Sequence, residues 1–162
     1  MANSDSAISS DRYTILRLQP GQVAQFRQMN QMFAEVFDDR DSYSAHPPSD
    51  SYLQGLLQKS HLIALAASQG ETVVAGLVAY VLDKFEQERS EIYLYDLAVS
   101  EAHRRQGLAR ALIAELKKIA QELGAWVIYV QADKEDEDLP ARRLYESMGE
   151  REDVFHYDIA VK

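Results

Sequence analysis

The sequence predicts an α/β fold with a mixed central sheet and helices on both faces. Three observations carry this. Ile92 to Val99 is β-branched, aromatic or aliphatic throughout, broken only by Asp96, which marks a buried strand. From Leu108 the apolar residues Leu112, Leu116, Ile119 and Leu123 fall three or four apart, with Ile113 and Ala120 widening the stripe, and Gly124 stands at the C′ position. Trp126 to Ala132 (WVIYVQA) then reads as a second buried strand, which completes one βαβ unit.

Around that unit the remaining elements follow in order. Residues 1–11 are small and polar and predict a disordered tail, leaving 12–162 as a single domain. Tyr13 to Leu18 alternates like a strand. After the Pro20-Gly21 turn, Val23, Phe26, Met29, Met32, Phe33 and Val36 trace one helical face. That helix runs out in Asp38 to Ser42, and a loop through Tyr43, His46, Pro47 and Pro48 follows. Ser49 or Asp50 then caps a short helix bearing Leu53, Leu56 and Leu57. Leu62 to Ala67 and Thr72 to Leu82, joined at Gln69-Gly70, read as a hairpin. Beyond the βαβ unit, Pro140 opens a helix carrying Ala141, Leu144, Tyr145 and Met148, stopped by Gly149, and Val154 to Ile159 reads as a last strand. The expected order is β-αα-β-β-β-α-β-α-β.

Composition narrows the function. The chain has 162 residues, 46% of them hydrophobic and 27% charged, which suits one globular domain with a substantial core. Cysteine is absent, so disulfides, thiolate metal sites and a cysteine nucleophile are excluded. His46, His61, His103 and His156 show no metal spacing. The opening MANSDSAISSD lacks a basic region and an apolar core, and no apolar run has membrane-spanning length, so a cytoplasmic protein is expected. A net charge of −9 disfavours nucleic acid as a partner and suits a cationic ligand.

The segment HRRQGLA, His103 to Ala109, lies between the central strand and its helix. Gly107 and Ala109 put little side chain in a ligand's way. The first N–H groups of the helix lack internal partners and carry its positive dipole end. Arg104, Arg105 and Arg110 add charge, so the turn suits a phosphate or pyrophosphate. Asp96 is the other conspicuous residue, because an aspartate inside an apolar strand is disfavoured and costly to bury unpaired. A negative group at a substrate cleft would explain it, and a protonated amine that must lose a proton before attacking a carbonyl needs such a group.

Strand, Arg-Arg-Gln-Gly-Leu-Ala and helix together resemble the acetyl-CoA site of the GNAT N-acetyltransferase superfamily, whose Gln/Arg-x-x-Gly-x-Gly/Ala pattern is filled by Arg104, Gly107 and Ala109. The element order is also that of the GNAT-like acyl-CoA N-acyltransferase fold. SEIYLYDLAVSEAHRRQGLA, VIYVQAD, ARRLYESMG, VFHYDI, YSAHPPSDSYL and VAYVLDKFEQERSEIY are similar to the type I aminoglycoside 3-N-acetyltransferases. The departures lie in the N-terminal tail, in DDRDS and in KEDEDLP.

The resemblance implies acetyl transfer from acetyl-CoA to the 3-amino group of a gentamicin-like antibiotic in a ternary complex, with antibiotic resistance as the outcome and no metal. It assigns Asp96 to the amine, and Tyr145 to protonation of the departing thiolate. Leu97, Ala98 and Val99 would meet the pantetheine arm with backbone groups, Val99 N–H facing the thioester carbonyl. Arg104, Arg105, Gln106, Gly107, Leu108, Ala109 and Arg110 would hold the pyrophosphate. The acidic run 133–138 follows the carboxyl end of a parallel strand, where α/β sheets bind ligands. Asp133, then Asp136, are its candidates for a polycationic drug, with Glu35, Asp38 and Asp39 as the opposite wall. His156 is the alternative base. The superfamily resemblance also allows a homodimer. A GNAT enzyme for another polyamine or peptide amine, and a non-catalytic acetyl-CoA-binding module, are the competing readings.

Overall fold

The computed structural model describes residues 12–162, so the tail expected at 1–11 lies outside the described residues. The chain divides into two compact units, Met1–Gln131 and Ala132–Lys162.

The first unit holds a five-stranded sheet in sequence order: β1 (Thr14–Arg17), β2 (Leu62–Gln69), β3 (Thr72–Asp83), β4 (Ser90–Val99) and β5 (Ala125–Val130). The first three junctions are antiparallel, whereas β4 and β5 run parallel because helix α4 (Leu108–Glu122) carries the chain back between them. The β2–β3 hairpin closes through Gly70-Glu71, with Gly70 at φ 60°, a conformation glycine adopts without penalty. The sheet is mixed, as expected.

One face of the sheet is covered by helix α1 (Val23–Val36) and helix α3 (Asp50–Leu57). Phe26, Met29, Met32, Phe33 and Leu53 meet Leu62, Ala64, Ala66, Val78 and Ala98 there in one buried cluster. Strand alternation sends Ile63, Leu65, Leu77, Ile92 and Leu94 to the other face, where α4 packs with Leu108, Leu112, Leu116 and Ile119 buried. The stripe read from the sequence is the buried stripe. Gly124, at φ 68°, ends the helix as a C′ residue should.

Between α1 and α3 the expected loop contains a further helical turn, α2 (Arg40–Tyr43), capped by the Asp39 carboxylate accepting from Ser42 N–H at 3.0 Å. Tyr43 ends this turn and packs its ring against Phe33 and Phe37 at centroid distances of 5.8 and 5.6 Å. These aromatic contacts, spread over α1 and α2, give a four-residue helix a stability it would not have alone.

The second unit contains a 3-10 turn (Asp136–Asp138) and helix α5 (Leu139–Glu146), with Pro140 in its first turn. The strand expected at 154–159 is not formed. Residues 150–162 have no regular secondary structure, and Phe155 and Ile159 are 82% and 87% exposed. Alternating apolar residues supply a strand's faces, but its hydrogen bonds must come from a neighbouring backbone. No such neighbour is paired with this segment among the described residues.

Close packing at Gly76 yields a stability test. A Cβ built there would meet the Met29 side chain, with Phe33 Cζ at 3.3 Å, and both residues are buried. Gly76→Ala should cost about 1–3 kcal/mol. The measurement is a melting curve, and an unchanged midpoint would mean that the Met29 side chain or α1 gives way without cost.

Candidate active site

Strand β4 is hydrogen-bonded on both sides only along its first half. Its pairing with β5 ends at Leu94↔Val130, while its pairing with β3 continues to Val99↔Ala75. From Tyr95 to Val99, then, the edge that faces β5 carries no ladder among the described residues. An extended ligand can use such an edge as an added strand.

A bulge sits where the two halves meet. Val78 faces Asp96 and Ala79 faces Leu94, so Tyr95 is the extra residue. Without it, Asp96 would share a face with Leu94 and point into the α4 core. With it, Asp96 lies beside Val78, on the face covered by α1. Tyr43 O–H donates to Asp96 Oδ1 at 2.6 Å. Tyr80 from β3 and Tyr95 from β4 meet edge to face at 5.7 Å beside this carboxylate. Burial pushes the Asp96 carboxyl above its ordinary value, and the Tyr43 hydrogen bond pulls it partly back. Burial, and then the Asp96 carboxylate, push the Tyr43 and Tyr80 hydroxyls up, which keeps both protonated.

The turn before α4 has the backbone shape and charge that suit an anion. Arg105 at φ 59° and Gly107 at φ 81° are both left-handed, and no side chain caps the helix that starts at Leu108. Left-handed residues in a tight turn can direct neighbouring backbone N–H groups toward one point. Tyr13 braces the turn from β1's end of the chain: its hydroxyl donates to Gln106 Oε1 at 2.6 Å and lies 3.0 Å from His103 Nδ1. Arg104 Nε donates to the Val99 carbonyl at 3.3 Å, which ties the turn to the free end of β4. The end of β4 at Val99 is therefore tied directly to the turn at Arg104.

The other expected site residues are placed as follows. Glu35 is exposed on α1 and accepts from Gln31 Nε2 at 3.0 Å. Asp38 is exposed at φ 51°, and Asp39 spends its carboxylate on the α2 cap, whose hydrogen bonds lower its carboxyl. In the second unit Asp133 N–H donates to Asp138 Oδ2 at 2.9 Å, and Arg142 Nη1 donates to the carbonyls of Asp133 and Glu135. The acidic run is thus an ordered loop, with Asp133 and Asp136 exposed. Tyr145 is half-buried on α5, and burial, followed by the charge of Asp138, pushes its hydroxyl up to about 12. His156 lies 2.9 Å from Asp158. Sequence reasoning missed the company of Asp96: Tyr43 is 53 positions away, and no local signal marks Tyr80 or Tyr95.

Residues 26–149 match the acetyltransferase (GNAT) family. The chain belongs to that family. An aminoglycoside acetyltransferase from an uncultured soil metagenomic sample is 48% identical, with 93% of this chain and 99% of that one covered and a TM-score of 0.91. A second aminoglycoside acetyltransferase from such a sample, solved with sisomicin, is 30% identical over 94% of this chain and 98% of its own, at a TM-score of 0.85. The ribosomal-protein-alanine N-acetyltransferase of Brucella melitensis biovar Abortus 2308 is 25% identical over 93% and 99%, at a TM-score of 0.71. No curated protein matches. The chain is thus a GNAT acetyltransferase, a family that uses acetyl-CoA.

The phosphate turn can be tested directly. Gly107→Val puts a β-branched side chain on a left-handed backbone, at the point a pyrophosphate would approach. Acetyl-CoA affinity measured by calorimetry should fall by at least ~10-fold, as expected for losing contacts worth a few kcal/mol. Wild-type affinity would remove the turn from the cofactor site.

Proposed function

We propose that this GNAT enzyme acetylates the 3-amino group of gentamicin-like aminoglycosides, by direct transfer in a ternary complex, and so confers resistance to them. The observation that carries the reading is the bulge-directed Asp96 carboxylate, walled by tyrosines and next to the unpaired edge of Leu97–Val99. A carboxylate among aromatic rings suits a primary ammonium. The 48% identity to an aminoglycoside acetyltransferase and the sisomicin complex of a second relative support the substrate class. Acetyl-CoA itself supplies a thioester, whose acetyl group passes to the amine nitrogen as the C–S bond breaks.

In this mechanism Asp96 binds the ammonium and accepts its proton, directly or through a water, so that the nitrogen lone pair becomes available. Val99 N–H polarises the acyl carbonyl. The N–H groups of residues 105–110, with Arg104 and Arg110 adding charge, hold the pyrophosphate. Tyr145 gives the departing sulfur its proton, a role that comes from the family resemblance and fits a hydroxyl kept protonated near neutral pH. Asp133 and Asp136, and Glu35, Asp38 and Asp39, supply countercharge to the drug's other ammonium groups, Asp39 more weakly because it caps α2. The cytoplasmic location expected from the sequence, and a single domain over 12–162, belong to this proposal.

The test is acetyl transfer to gentamicin, with NMR locating the acetyl group. Acetylation at another nitrogen would overturn the 3-amino assignment, and transfer to spermidine or a peptide in preference would overturn the substrate class. Asp96→Asn should lower kcat/KM for gentamicin by at least ~10²-fold, with partial recovery as pH rises and more of the drug's amine is neutral. The sign for stability is opposite. Because the folded carboxyl is raised, its ionisation costs stability as pH rises, so the Asn variant should melt no lower at neutral pH. Tyr145→Phe should lower kcat by ~10²-fold with folding intact.

A homodimer is part of the same reading. Phe155, Tyr157, Ile159 and Val161 are exposed at alternate positions of one segment, and such a row suits a strand added in a second copy to the edge of β5 that is unpaired among the described residues. Light scattering should give twice the chain mass, and removal of residues 153–162 should return a monomer. A full-length monomer would exclude the dimer.

A further inference from the structure

We propose that Tyr43 is the positioning residue of Asp96: its hydroxyl holds one carboxylate oxygen, so that the other is presented to the substrate's ammonium. The inference rests on the reading of Asp96 given above and extends it to a residue with no other assignment.

Three observations carry it. First, the hydrogen bond is short, 2.6 Å from Tyr43 Oη to Asp96 Oδ1, in the range of a charge-assisted O–H···O⁻ contact. Second, the Tyr43 ring is not free to leave. It is wedged between Phe33, which is buried, and Phe37, and it closes the capped turn α2 against the end of α1. Third, among the described residues the hydrogen bond given to this carboxylate comes from Tyr43. The titratable groups that interact with it are Tyr43 and Tyr80, whose hydroxyls interact in turn with Tyr95 on β4, Tyr52 on α3 and Asp39 at the start of α2, and of all these Tyr43 makes the hydrogen bond to Asp96. No cation stands among these groups.

The chemistry follows from this geometry. A carboxylate on a bulged strand can rotate about χ2 and present either oxygen anywhere on a broad arc. A fixed phenol removes that freedom by engaging Oδ1, and Oδ2 keeps lone pairs for a ligand. The same bond offsets part of the burial that would otherwise favour the neutral acid. Loss of the hydroxyl therefore has two consequences: a mobile carboxylate, and one that loses its proton at a higher pH. The second is the useful signature. A group that must be ionised sets the acid limb of kcat/KM, so the limb should move to higher pH.

Tyr43→Phe keeps the ring and its packing and removes only the donor. Kinetics with gentamicin and saturating acetyl-CoA, over the pH range where the enzyme is stable, are compared for wild type, Tyr43→Phe, Asp96→Asn and the double variant. The expected result for Tyr43→Phe is an acid limb of kcat/KM displaced to higher pH: on that limb a one-unit move lowers kcat/KM about 10-fold, and the loss disappears as pH rises above it. The acetyl-CoA KM and the melting temperature should stay near wild type, and the substitution should add no loss in the Asp96→Asn background. A Tyr43→Phe enzyme with the wild-type pH profile would overturn the proposal while leaving Asp96 in place. So would a pH-independent loss that persists in the Asn background, since Tyr43 would then only anchor α2. Full activity of Asp96→Asn alone would remove the carboxylate's role, and Tyr43's with it.

Discussion

The bulge at Tyr95 is the constraint on which the active-site architecture depends. Side chains on a strand alternate, so Asp96 would follow Leu94 and Ile92 into the α4 core if β4 were regular. Burying a carboxylate there among leucines would cost several kcal/mol unless it were neutralised. One extra residue turns Asp96 to the other face, where a phenol meets it. The bulge also coincides with the end of β4–β5 pairing, just one residue past Leu94. One irregularity thus creates both the position of the carboxylate and the beginning of the unpaired edge.

Rigid elements hold the two sides of that edge. Arg104 and Tyr13 brace the left-handed turn before α4, and α4 itself is pinned through a stripe of buried leucines and isoleucines. On the opposite side, α2 is too short to persist alone and depends on Phe33 and Phe37 for its place. In the proposed site the cofactor side is therefore set by backbone conformation and the amine side by aromatic packing. Backbone conformation gives a fixed cradle of N–H groups, which suits a phosphate common to all turnovers. Packed aromatic rings suit the part of the site that must recognise one substrate.

The competing readings stand differently against this arrangement. A non-catalytic acetyl-CoA-binding module would have use for the turn and the free edge, but none for a partly buried carboxylate held by a phenol. A peptide or polyamine acetyltransferase would have use for all three. What separates it from an aminoglycoside enzyme is the distribution of acidic side chains beyond Asp96. The carboxylates proposed for the drug, Glu35 and Asp38 in the first unit and Asp133 and Asp136 in the second, are each exposed, as a ligand with several positive charges would require.

Local chemistry was legible in the sequence wherever the cause was local. The α4 stripe, its Gly124 terminator, the Gly70 hairpin and the glycine turn before Leu108 all follow from propensity, periodicity and backbone freedom within a few residues. Asp96 was also visible, because a charge in an apolar strand is an anomaly whatever the fold. The family motif ran through the same segment. Tertiary structure alone decided which way Asp96 points, since a bulge is a mismatch between two strands and belongs to neither by itself. It alone brought Tyr43 to Oδ1 across 53 positions, and Tyr13 to Gln106 across 93. It likewise withheld a strand from Val154–Ile159, whose alternating pattern is complete. The pattern of apolar residues selects the faces of an element, whereas its partners are chosen by the packing of the whole chain.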